Sequence, residues 1–230
     1  MLNKMIKSTL AVAIIAAGIN IAFAESVDVK VIGTIIPAAC TPALSGGGVV
    51  DYGNIKASTL SADDYTTLPG KEIDFSITCD ALAKVAINAV NDRPGTMAGV
   101  TEGYNGAAGT PVPLFGGGVM GVGLGLDGTA KIGGYAIQFD PEKMTVDGGS
   151  VDGIKNGGAG SDSWTASSGF PFSNAARYLS WAKTGELAPV AFKVLAGKLA
   201  VEAYINKASE LDLTHAVHLD GQTTLEVIYL

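Results

Sequence analysis

Apolar and polar residues alternate along much of this chain, and the alternation marks its strands. Ile73, Phe75 and Ile77 are interleaved with Glu72, Asp74, Ser76 and Thr78, the period-two pattern of a strand buried on one face. Val85, Ile87 and Ala89 continue it beyond Cys79 until Asn91-Asp92-Arg93-Pro94-Gly95 breaks the strand. Nearer the start, Val27, Val29, Val31 and Ile35 share one parity with Gly33, which predicts a first strand ending at Cys40. Ile132, Tyr135, Ile137 and Phe139 predict another over residues 131–139. Val190, Phe192 and Val194, followed by Leu199, Val201, Ala203 and Ile205, read as a hairpin turning at Ala196-Gly197. Leu211, Leu213, Val217 and Leu219 lead to a turn at Asp220-Gly221, and T-T-L-E-V-I-Y-L alternates to Leu230. Residues 175–182 alone have modest helical character.

Between these segments lie turn signals. Residues 41–48 read as a Gly-rich turn, Val49-Val50-Asp51-Tyr52-Gly53 resumes extended structure, and Pro69-Gly70 turns the chain before Ile73. Residues 95–128 are Gly-rich and weakly patterned, and residues 147–163 form a Gly/Asp/Ser loop expected to be exposed and mobile. The chain has 31 Gly, and 16% of its residues are charged, which suits short strands joined by tight turns and not a helical bundle. One all-β domain, a sandwich with long Gly-rich loops, is the expected architecture.

The first residues set the compartment. Lys4 and Lys7 precede an apolar run from Leu10 to Ile21, and Ala22-Phe23-Ala24 is a small-x-small cleavage site. This is the pattern of a signal peptide over residues 1–24, leaving a single domain over residues 25–230, exported, with no membrane span after leader removal. In an oxidising compartment the two cysteines, Cys40 and Cys79, each closing a strand-like segment, read as a structural disulfide. Removing the leader takes the formal net charge from −7 to −9, because Lys4 and Lys7 leave with it. An acidic surface argues against nucleic acid as a partner.

Candidate chemistry is sparse. Gly123-Leu124-Gly125-Leu126-Asp127-Gly128 matches G-x-G-x-x-G by count, but extended sequence follows it where a dinucleotide site needs a helix, so it reads as a turn. His215 and His218 are the only histidines, and on a strand their spacing points them to opposite faces, away from a shared metal. No G-x-S-x-G elbow occurs. The acidic residues of 147–162 lack the ladder and closing Glu of a calcium loop. The chain reads as a non-enzyme with no cofactor and no metal.

The leader, G-T-I-I-P-A-A-C, D-Y-G-N-I, F-S-I-T-C and the penultimate Tyr229 together resemble a fimbrial subunit of the chaperone–usher type. More closely, the chain is similar to a family of uncharacterised exported bacterial proteins, labelled a domain of unknown function and grouped loosely with fimbrial proteins. The resemblance implies an immunoglobulin-like, pilin-like β-sandwich lacking its last strand. A periplasmic chaperone, and then the N-terminal arm of another fimbrial subunit placed by an usher, would fill the gap by β-augmentation. By that resemblance Leu225, Val227 and Tyr229 would face the partner strand, the carboxylate of Leu230 would dock on the chaperone, and Val27, Val29 and Val31 would be donor-arm residues. The protein would then reside in the periplasm, on the cell surface or in a fimbrium. The alternative is a self-contained secreted or periplasmic sandwich that binds a small molecule, or a host or surface glycan, through its loops.

Overall fold

The structure is a computed structural model and describes residues 27–36 and 38–230, so the expected leader lies outside the described residues. It divides into two units, Met1–Ile36 and Pro37–Leu230. In the first, residues 27–36 carry no strand, and Val27, Val29 and Val31 are exposed. The first strand therefore does not run through these valines. It starts at the cysteine where it was expected to end, because Cys40 is the first residue with a ladder partner.

The second unit is all-β. In chain order its principal strands are β1 (Cys40–Leu44), β2 (Lys71–Ala83), β3 (Val85–Asn91), β4 (Met120–Gly123), β5 (Gly133–Phe139), β6 (Thr145–Val146), β7 (Gly149–Asn156), β8 (Thr165–Ala166), β9 (Tyr178–Lys183), β10 (Phe192–Ile205) and β11 (Thr223–Tyr229). One layer runs β1-β2-β10-β5-β4 and the other β11-β3-β9-β7-β8, with antiparallel pairing throughout. The β6–β7 hairpin stitches them together, since β6 also pairs with β10. Among the described residues no helix is long and apolar enough to cross a membrane.

Period-two patterning places the core. Phe75, Ile77 and Cys79 of β2 and Leu195 and Leu199 of β10 point inward and meet Val85, Ile87, Leu179 and Trp181 from the other layer. Phe139 packs edge-on against Phe75 and against Trp181, with ring centroids 4.9 and 5.7 Å apart. The Gly-rich middle of the chain covers the outer face of the first layer. There Met97, Ala98 and Leu114 build a second apolar cluster around Ala136 and Tyr204, whose hydroxyl donates to the Ala98 carbonyl at 2.7 Å.

Three local expectations fail for tertiary reasons. Ala196-Gly197 is not a turn: β10 passes straight through it, and a Cβ on Gly197 would sit 2.3 Å from Met144 Sδ and 2.9 Å from the Lys143 carbonyl. Residues 147–163 are not one mobile loop. Asp147 and Gly148, both at positive φ, form a two-residue hairpin turn that leads into eight-residue β7. Residues 175–182 are not helical, because β9 threads between β7 and β3.

Candidate strand-acceptor groove

β11 is an edge strand whose only ladder partner among the described residues is β3. The Leu230 N–H donates to the Lys84 carbonyl, and the Asp92 N–H to the carbonyl of Gln222. Even-numbered residues of the strand therefore direct their main-chain groups to β3, and Thr223, Leu225, Val227 and Tyr229 turn theirs to the free edge. The same four side chains lie on the inward side, where Leu225 and Val227 pack against the core.

Beside this edge the sandwich is open. A groove of about 360 Å³ is lined by Leu219, Thr223 and Leu225 on one lip and by Leu44, Val50 and Tyr52 on the other. Its floor is the inner face of the first layer, namely Ile73, Tyr135, Ile137, Leu199, Val201 and Ala203. A second hollow of about 490 Å³, sharing Val50, Tyr52 and Leu219, extends past Ile205, Leu211 and Val217. Residues 49–56, the far lip, belong to no strand, so both lips carry unladdered backbone.

Polar contacts fix the groove's shape. The Cys40 N–H donates to the Tyr229 hydroxyl at 2.6 Å, tying the edge strands of the two layers together at one end. Tyr135 and Thr223 share a hydroxyl–hydroxyl hydrogen bond of 2.6 Å across the floor, and burial pushes the Tyr135 phenol up to about 12. Tyr52 donates to the Val201 carbonyl at 3.3 Å, and burial, with Glu202 nearby, raises it to about 12 as well. Both phenols stay neutral. Arg93 clamps Asp220 with two bonds of 2.8 and 3.0 Å, holding the turn at which a Cβ on Gly221 would meet the Tyr135 ring at 2.7 Å.

The cysteines sit where the groove ends. Cys40 and Cys79 are directly opposed in the β1–β2 ladder and are joined as a disulfide. Of the other predicted residues, Leu225 lines the groove, Val227 packs against the core, and Tyr229 ties the end. Leu230 extends the β3 ladder and is exposed. Val27, Val29 and Val31 lie in the other unit. The sequence pattern missed Leu44, Tyr52, Tyr135 and Leu219, although V-V-D-Y-G marked one lip as extended. The histidines lie in a loop and not on a strand. His215 Nε2 is 3.1 Å from Asp127, and His218 is exposed without joining it. Among the described residues no group of three or more His, Cys, Asp or Glu could hold a metal ion.

Residues 29–136 match the profile of a family described as "Protein of unknown function (DUF1120)". Two relatives from Escherichia coli (strain K12) extend the match over nearly the whole chain. The uncharacterized protein YhcF is 32% identical across 89% of this chain and 90% of its own length. Protein GltF is 32% identical across 97% of this chain and 99% of its own. The chain belongs to this family. No solved structure is a significant match to it. The profile spans the disulfide, one lip of the groove and part of its floor. The β11 lip lies beyond the last residue that the profile matches.

Proposed function

We propose that this DUF1120 protein is an exported fimbria-like subunit, structural or adhesive, whose sandwich is completed by a strand donated by another chain. The carrying observation is the edge of β11, where unpaired main-chain groups and inward apolar side chains border an apolar groove. Strand addition needs both of these features: main-chain bonds for affinity and side-chain pockets for register. Strand order supports an immunoglobulin-like frame. β1-β2-β10-β5 follows the A-B-E-D order of such a sandwich, and β11 and β3 take the F and C places, with no strand among the described residues in the G place beside β11. The disulfide agrees with export. A periplasmic chaperone would occupy the edge first and an arm of alternating apolar residues, such as Val27, Val29 and Val31 of a second copy, would replace it. The cell surface is then the destination.

Amide exchange tests this directly. In the isolated protein the Glu226 and Ile228 amides should be protected and those of Leu225, Val227 and Tyr229 should exchange fast. A cognate chaperone, or a synthetic peptide spanning residues 25–36, should slow the second set. Protection of both sets in a stable soluble monomer would overturn the proposal in favour of a self-contained domain.

A further inference from the structure

Away from the groove, the outward face of the second layer carries a row of side chains with a chemistry of its own. The ladders align Asn156 with Tyr178 and Asn88 with Glu226. The β7–β8 register, Lys155 with Thr165, places Trp164 beside Asn156 at its next step, and the Leu179–Ile87 pair places Tyr178 beside Asn88. Asn156, Tyr178, Asn88 and Glu226 thus lie side by side across four strands, with Trp164, just before β8, next to Asn156. Leu179, Ile87 and Val227, one step along, point into the core, so this row points out. With neighbouring strands about 4.8 Å apart, the two aromatic residues stand about 10 Å from each other.

Three residues of the row, Trp164, Asn156 and Tyr178, line a hollow of about 570 Å³. Trp164 and Tyr178 line it on one side, Lys84 and Ile228 on the other, and Ser161 and Asp162 wall it. That wall is positioned from below. Asn156 is nearly buried. Its Nδ2 donates to the Ser161 carbonyl and its Oδ1 accepts from the Gly158 N–H, both at 2.9 Å. Asn88 donates to Glu226 at 2.8 Å, which orients both groups on the open face. The Trp164 indole N–H, the Tyr178 hydroxyl and the Asp162 carboxylate have no hydrogen-bond partner among the described residues.

We propose that this cleft binds a neutral oligosaccharide, with sugar rings stacked on Trp164 and Tyr178. The C–H face of a pyranose suits the negative face of an aromatic ring, and its hydroxyls need the mixed donors and acceptors that Asp162, Ser161 and Lys84 supply in the lining. A nucleic acid would meet an acidic chain with Lys84 as the one cation in the lining. An apolar peptide would leave the carboxylates unpaired. The cleft touches only the end of β11, at Ile228, Tyr229 and Leu230, and shares no lining residue with the groove, so the inference does not depend on whether a donated strand fills that edge.

The chain's two tryptophans provide the measurement. Trp181 is 2% exposed in the core, so an emission change on ligand addition reports Trp164. The full chain is titrated with neutral glucan, mannan, galactan and N-acetylglucosamine oligomers. At least one should give a saturable emission shift, and an excess of the residue 25–36 peptide should leave it unchanged. Trp164→Phe should abolish the optical signal. Tyr178→Ala and Asp162→Asn, read by calorimetry with unfolding midpoints as controls, should each weaken binding at least fivefold in folded protein. Absence of saturable binding across the panel would overturn the proposal. So would affinities that both folded variants leave intact, or preferential binding of an apolar peptide.

Discussion

Two residues decide how this small sandwich holds its shape against an open flank. Cys40 and Cys79 join the edge strand β1 to β2 across a directly opposed pair, next to the Tyr229 contact. Their sequence separation of 39 closes a loop whose lost chain entropy is worth about 4 kcal/mol. Cys40→Ser should therefore lower unfolding free energy by roughly 2–5 kcal/mol in chemical denaturation, and unreduced wild-type protein should label no thiols. Two labelled thiols per chain would refute the bridge in solution. His215 is the pH-sensitive residue. The hydrogen bond and charge of Asp127, with a smaller effect of Asp212, hold its imidazole above the ordinary range. Its folded value is raised, so the contact stabilises fully below the unfolded value of about 6.5 and is lost as pH rises through the folded one. His215→Gln should flatten the thermal midpoint of the wild type over that window, and an equal pH dependence in both proteins would exclude the contact. The His215 side chain is about half exposed and solvent screens the contact, so the effect should be small.

At the scale of elements, the outcome turned on what neighbours each strand. The strands around Phe75, Ile87 and Ile137 were legible because alternation is written locally in which side chains can face a core. Ala196-Gly197 looked like a turn for an equally local reason, and the chain at Met144 and Lys143 converts it into a place of close approach. The Asp-Gly pair at 147–148 was a hairpin signal hidden inside a polar stretch. Its Asp147 carboxylate accepts from the Val194 N–H at 2.8 Å and fastens the hairpin to β10. The expectation for proteolysis narrows accordingly. Limited digestion should cut within residues 157–162, where the chain leaves the ladder, before it cuts within Gly149–Asn156. First cleavage inside β7 would contradict the register.

For the whole molecule, the pairing of a stapled edge with an unpaired one gives the groove its meaning. β1 and β11 face each other as the outer strands of different layers and meet at the bond between Cys40 and Tyr229. Away from that bond the inner face of the first layer lies beneath the gap. A free edge with apolar side chains is a hazard that soluble proteins blunt or fill. The exchange pattern expected at Leu225, Val227 and Tyr229 follows from this geometry, because a missing neighbour leaves every second amide of β11 to solvent.

By itself the sequence determined the all-β class, the core strands around Phe75, Ile87 and Ile137, the pairing of its cysteines and the apolar character of the terminal strand. Each of these follows from local period or from composition. Tertiary structure alone decided which strand became an edge, which lips faced each other across the groove, and that Trp164 and Tyr178 would share a face with Asn88 and Glu226. Those outcomes depend on register between segments far apart in the chain, and a one-residue slip would turn each of these side chains to the opposite face.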